Sequence, residues 1–249
     1  MRRTSPRLER PLPPTGDLVR LDTLVNPFGP PPPVVARLTA TLRDGDELDL
    51  TDRVKRAVAR HAGTSSDRVV IANGMEDLLD AVMLWRRDRA PFVTFPPTDP
   101  AFSARAANHG ITTLGWDRHR PTFGIGPGAP SDLPAGTTAH LMSPNDPTGT
   151  LVDPIDLVQV ARACELVVVD ERHGAYAGRS AAALASEFDN VLICSTLSTW
   201  AGLTVFPFAW ATGPAPLVRS LAAYLRPDGV ATATLADALA DIAGEGTID

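Results

Sequence analysis

The sequence predicts an α/β protein: three layers, with a mostly parallel central sheet and helices on both faces. Two observations carry this. Leu166–Val169 is a continuous apolar run ending in Asp170, and Val191–Cys194 is a second, ending in Ser195 and Thr196. Runs of this length bounded by polar residues are strands buried on both faces of a parallel sheet. Such runs also alternate with helical stretches along most of the chain, the pattern of a sheet flanked by helices. In sheets of this kind the ligand crevice lies beyond the carboxyl ends of the strands, which places Asp170 and Ser195 to Thr199 at the expected site.

Residues 1 to about 20, polar and proline-rich (MRRTSPRLERPLPPTG), read as a flexible arm, and residues 21–249 as one domain. The run Gly29 to Pro33 is expected to be extended polyproline II leading into a helix over about Val34 to Arg43. A second helix, about Thr51 to His61, precedes a strand at Arg68 to Ala72, which feeds the turn NGMED and a helix reaching about Trp85. Strands at Phe92 to Phe95 and Ile111 to Trp116 flank a helix over about Pro100 to Asn108. Arg120 to Gly136, rich in Gly and Pro, is expected to be an irregular surface loop. Strands at Ala139 to Met142, Leu166 to Asp170, Val191 to Cys194 and Val205 to Ala211 follow, with helices at about Ile155 to Ala163 and Ala215 to Leu225.

Composition narrows the function classes. With 44% hydrophobic and 21% charged residues over 249 positions, the chain has an ordinary globular balance and enough length for a full core. No apolar run approaches about 18 residues and the polar N-terminus has no signal-peptide pattern, so a soluble, cytoplasmic protein without a membrane role is expected. The net charge of −6 and the scattered arginines disfavour nucleic acid as a partner. Cys164 and Cys194 each adjoin a buried strand and are expected to be inert core residues.

Five motifs then occur in order: VNPFGPPPPV at Val25 to Val34, IANGMED at Ile71 to Asp77, SPNDPTG at Ser143 to Gly149, VVVDE at Val167 to Glu171, and TLST followed by Gly202 and Leu203. Together they resemble the fold-type-I aminotransferases that use pyridoxal phosphate, with the nearest likeness to histidinol-phosphate aminotransferase and threonine-phosphate decarboxylase. The resemblance covers roughly residues 20 to 240 and makes 21–249 an aminotransferase-like large domain. It implies that the turn Gly74, Met75 and Glu76 faces the cofactor phosphate, as expected where a strand and a glycine turn feed a helix start. It further implies that Asp170 pairs with the pyridine nitrogen and that Thr196 offers a phosphate-side hydroxyl.

The same alignment implies departures. The family's Schiff-base lysine falls on Thr199, its phosphate-clamping arginine on Pro207, its ring-stacking aromatic on Asp99, its asparagine before PTG on Asp146, and its tyrosine after the strand-end aspartate on His173. A threonine cannot form an imine, and Lys55, the single lysine of the chain, lies on an amphipathic helix whose charged face is expected to be solvated. Two cations lost and two carboxylates gained make the crevice unfavourable for a phosphate dianion. No catalytic residue is assigned, and pyridoxal phosphate is expected to be bound non-covalently or absent. His173 with Asp99, Asp146 and Asp170 contains hard-metal ligands, but without diagnostic spacing, and no metal is assigned. Trp200 and Trp210 are expected to fill core, and His61, His109, His119 and His140 to have no defined partner.

These features imply a degenerate relative with a binding or scaffolding role, as a homodimer or as a heterodimer with an active paralogue, with room for a small-molecule ligand. The family's small domain, which carries a substrate-binding arginine, is expected to be missing, leaving surface uncovered near Leu225 to Ile242, and the segment VNPFGPPPPV at Val25 to Val34 is expected to cross to a partner. The alternative is a pyridoxal-phosphate enzyme acting on a small amino acid or phosphorylated amine, with the missing groups supplied by a partner chain.

Overall fold

The structure is a computed structural model that describes residues 24, 26–44, 47–125, 133–226 and 230–244. The strands are β1 (Val69–Ala72), β2 (Phe92–Thr94), β3 (Thr113–Gly115), β4 (Thr138–Met142), β5 (Leu166–Asp170), β6 (Val191–Thr196) and β7 (Ala209–Thr212). They form one sheet in the order β1-β7-β6-β5-β4-β2-β3. The helices are α1 (Pro32–Asp44), α2 (Glu47–His61), α3 (Met75–Arg86), α4 (Ala101–Asn108), α5 (Pro154–Ala163), α6 (Gly174–Ala177), α7 (Ala182–Ala185), α8 (Ala215–Ala222) and α9 (Thr232–Gly244).

The expected mostly parallel sheet is present. Strands β3, β2, β4, β5 and β6 run parallel to one another, while β7 is antiparallel to both β6 and β1. A parallel return needs a crossover element. Residues 197–208, between β6 and β7, contain turns and no helix, so β7 comes straight back beside β6.

Alternation along each central strand builds the layers. Leu166, Val168, Leu192 and Cys194 pack with Leu78, Leu79 and Val82 of α3, Phe102 of α4 and Val218 of α8. Val167, Val169, Val191 and Ile193 face the other way, onto Leu157, Val160 and Ala161 of α5 and Ala185 of α7. At the β1 end, Val69, Ile71 and Trp210 meet Val54 and Val58 of α2, Val34 of α1 and Leu235 and Leu239 of α9. Both cysteines are free and buried, as expected.

Several boundaries differ from the sequence reading. Helix α1 begins at Pro32, because proline is tolerated in a first helical turn, where no intrahelical N–H bond is needed. Strand β7 begins at Ala209 and not at Val205, which is 83% exposed in the preceding turn. The Val205–Ala211 run mixes turn and strand because apolar composition alone does not set a period. The expectation of uncovered surface at Leu225 to Ile242 is corrected: Leu235, Ala236, Ala238, Leu239 and Ile242 are buried on α9, against α1 and α2. The arm over residues 1 to about 20 and residues 126–132 of the expected loop lie outside the described residues. No helix among the described residues is long and apolar enough to cross a membrane.

Candidate functional site

The site is built where β2, β4, β5 and β6 end. Two turns meet there, one following β2 and one following β4. Asn145 ties them together, its side-chain amide donating to the Pro97 carbonyl at 3.0 Å and to Thr148 Oγ1 at 2.7 Å. Behind them the buried Arg118 guanidinium donates to the carbonyls of Phe95, Phe123 and Met142 at 3.1, 3.0 and 3.3 Å. Burial pushes its pKa down to about 10, against the pull of nearby Asp156, so it remains a cation at neutral pH. Arg118 had no motif to mark it; one buried arginine fixes three chain segments through their backbone carbonyls.

Asp170 is the centre. Its side chain is 0% exposed. Arg172 wraps it: the backbone N–H donates to Oδ1 at 3.0 Å, Nε to Oδ1 at 3.1 Å and to Oδ2 at 2.9 Å, and Nη2 to Oδ2 at 2.7 Å. His140 approaches from the neighbouring strand, Nε2 lying 3.3 Å from Oδ2. The register pairs His140 with Val168 and Met142 with Asp170, so His140 and Asp170 share a face of the sheet. The His140 ring stacks on Phe102, with centroids 3.7 Å apart and planes at 4°. An ionised carboxylate accepts, so His140 donates from Nε2.

The ion pairs continue outward. Arg172 Nη1 lies 3.1 Å from Glu76 Oε1, Arg105 reaches Glu76 at 2.7 Å and Asp80 at 2.8 Å, and His109 Nε2 lies 3.0 Å from Asp80. The expectation that His140 and His109 lack partners is therefore corrected. A histidine in an otherwise apolar strand, AHLM, was the available signal, because a buried imidazole needs a hydrogen-bond partner. The signal for Arg172 was its place two residues after a carboxylate that ends a fully buried strand.

Burial alone would raise the Asp170 pKa, but the charge of Arg172 and the bonds from His140 and Arg172 outweigh it and hold the carboxyl well below the usual range. A depressed folded-state value contributes stability that is present above the unfolded value, about 4, and is lost as pH falls below it. The urea midpoint is thus expected to fall as the pH is lowered below about 4, with a smaller fall in Asp170→Asn. Equal acid sensitivity in the two proteins would contradict this assignment.

The other sequence-marked residues fall as follows. Asp99 accepts from the Ala101 N–H at 2.9 Å and so serves the start of α4. The imidazole of His173 is lowered in pKa, first by burial, with Asp170 opposing, Arg172 adding, and Asp146 and Asp99 opposing. The charges of Asp170, Arg172, Asp146 and Asp99 are thus all felt at His173. Thr199 Oγ1 is buried without a partner, and its carbonyl accepts from the Asn26 N–H at 3.2 Å. Asn26 also donates from its side chain to the Trp200 carbonyl at 2.8 Å. Thr196 Oγ1 donates to the Phe208 carbonyl at 2.6 Å and accepts from the Ser198 N–H at 3.1 Å.

Gly74 precedes α3 with φ 90°, and Met75 and Glu76 open its first turn. A Cβ on Gly74 would stand 2.9 Å from Pro207 Cβ, so Pro207 packs directly on this turn. Tyr176 points its hydroxyl to the Leu24 carbonyl at 3.4 Å. Lys55 is half-buried on α2. Trp210 lies in the core, edge-on to His61 at 5.9 Å, with Trp200 packed against the same cluster. Among the described residues no group of three or more His, Cys, Asp or Glu is arranged to hold a metal ion.

The fold, a seven-stranded mostly parallel sheet flanked by helices, is that of solved aminotransferases. The family model for class I and II aminotransferases matches residues 38–246, and the chain belongs to that family. It is 31% identical to histidinol-phosphate aminotransferase 2 of Dechloromonas aromatica, over 84% of this chain and 61% of that protein. It is 30% identical to the histidinol-phosphate aminotransferase of Pseudomonas entomophila, over 82% and 60%. The chain thus spans about 60% of the length of these curated relatives. Among solved structures, the Sinorhizobium meliloti histidinol-phosphate aminotransferase in complex with pyridoxal-5'-phosphate superposes with a TM-score of 0.74 at 21% identity, covering 88% of this chain and 62% of that one. The L-threonine-O-3-phosphate decarboxylase of Porphyromonas gingivalis gives 0.71 at 13% identity, covering 90% and 68%.

Proposed function

We propose that this chain is a non-catalytic member of the aminotransferase family that acts by binding, as one subunit of a homodimer or of a heterodimer with an active paralogue. The observation that carries the reading is the state of Asp170. A carboxylate offers about four acceptor positions, and Arg172 and His140 already supply that many donors. No acceptor remains for a pyridine N–H. The rest of the crevice agrees: Pro207 covers the turn at Gly74, Thr196 Oγ1 is committed to a carbonyl, and position 199 carries a hydroxyl where the family resemblance calls for an amine. These residues do not fit pyridoxal phosphate, and the cofactor is read as absent or non-covalently held.

The test is an absorbance scan of the purified protein with added pyridoxal phosphate, followed by borohydride and mass measurement of the crevice peptides. No covalent adduct at the crevice and no amino-group transfer are expected. Thr199→Lys is expected to restore no turnover: a positioned acid–base group is worth about 10² to 10⁴-fold, but the new amine would face an occupied Asp170. Transfer activity in the wild-type protein that disappears in Asp170→Ala would overturn the reading. Self-association is checked separately by light scattering at micromolar concentration, where a dimer mass is expected.

A further inference from the structure

Asp170 closes a central strand with no solvent contact, and an ionised carboxylate in such a place requires a cation held against it. The resemblance assigns that role to a planar ring nitrogen of a bound cofactor. The chain supplies its own counterpart. The Arg172 guanidinium is planar, permanently protonated and presents two adjacent N–H donors to one carboxylate. Its remaining nitrogen, Nη1, turns to Glu76, in the turn that the resemblance assigns to the cofactor phosphate. Glu76 is in turn shared with Arg105 at 2.7 Å, which anchors the outer end of the pair to α4.

We propose that the Arg172–Glu76 pair is a resident surrogate for the cofactor, cation toward Asp170 and anion toward the start of α3, and that the position filled by the guanidinium is a latent site for small planar cationic N–H donors of the guanidinium or amidinium class. This rests on the non-catalytic reading and goes beyond it: that reading says what the crevice does not use, and this one says what has taken its place. The side chain of Arg172 is 19% exposed, so the position opens toward solvent and a small cation has a route in once the side chain is shortened.

The experiment is thermal unfolding of the full chain as wild type, Arg172→Ala and Asp170→Asn/Arg172→Ala, each with millimolar methylguanidinium chloride, methylammonium chloride or sodium chloride at matched ionic strength. Arg172→Ala is expected to melt roughly 6–15 °C below wild type. Methylguanidinium should recover part of that loss in a saturable way, while the other two salts should not, because only a planar fork reproduces the paired N–H geometry. Wild type, with the position filled, and the double variant, with no charge to neutralise, should not respond. Equal effects of the three salts on Arg172→Ala, wild-type stability of that variant, or a methylguanidinium response in the double variant would overturn the proposal. If Arg172→Ala yields no folded protein, the double variant decides: folding supports the buried charge as the defect, and failure to fold overturns it. The borohydride result on the wild type is independent of all these outcomes, so the two readings fail separately.

Discussion

Arg172→Met is expected to lower the unfolding free energy by about 3–5 kcal/mol, the cost of leaving a buried charge without its partner. The reciprocal change, Asp170→Leu, should cost less. The asymmetry follows from exposure: the Asp170 side chain is 0% exposed and would keep only His140 and the backbone N–H of residue 172, whereas the Arg172 side chain is 19% exposed and would keep Glu76 as well as water. A stranded arginine can relax toward solvent along its flexible stem; a stranded aspartate at a strand end cannot. Urea midpoints at unchanged m-value measure the two losses. An Asp170→Leu loss equal to or larger than that of Arg172→Met would show that the carboxylate does more than balance this one cation.

The second large effect is expected at Gly202. Its φ is +72°, and an added Cβ would lie 2.5 Å from Gly29 C, 2.6 Å from Gly29 O and 2.9 Å from Pro30 N. All three are backbone atoms, so no side chain can swing aside. Gly202→Ala combines about 1–3 kcal/mol of left-handed strain with displacement of the segment that carries Asn26, Gly29 and Pro30. Gly178 is the control, because its φ is +59° and nothing lies within 4 Å of the added Cβ. Gly178→Ala should show the strain alone. Gly202→Ala should in addition speed proteolysis between Leu24 and Pro31; equal stability and equal cleavage in the two variants would remove the clash from the account.

The sheet was legible because its central strands are continuous apolar runs with a single polar terminus, and LVVVD and VLICST lie where LVVVDE and VLICSTLST suggested. The turn at Gly74 was legible because a strand, a glycine and a helix start follow one another without interruption. Positions 99, 146, 170 and 173 were marked by motif, and the charges of Asp99, Asp146 and Asp170 all act on His173. What could not be read was how the charges pair. Arg172, Glu76, Arg105 and Asp80 come from three separate segments, and the choice of partner is made by the packing of α3 and α4 against the sheet. A motif counts residues along the chain, whereas an ion pair selects by distance in space. The buried helix α9 was missed for a similar reason: its apolar positions are satisfied by α1 and α2, nearly two hundred residues earlier.

That last contact bears on how the chain acquires its structure. Helices α1 and α2 are made long before α9, yet Val34, Leu50, Val54 and Val58 share their cluster with Leu235, Leu239 and Ile242 of α9, the last described helix. During synthesis, at about 5–20 residues per second, the apolar face that awaits α9 stays bare for roughly ten seconds or more after α2 has emerged. Closure of so long a loop is also slow to nucleate. The nascent protein therefore passes through an interval in which its sheet can form but one end of it is unsealed, an interval in which a chaperone or a second nascent chain competes with α9 for the same surface.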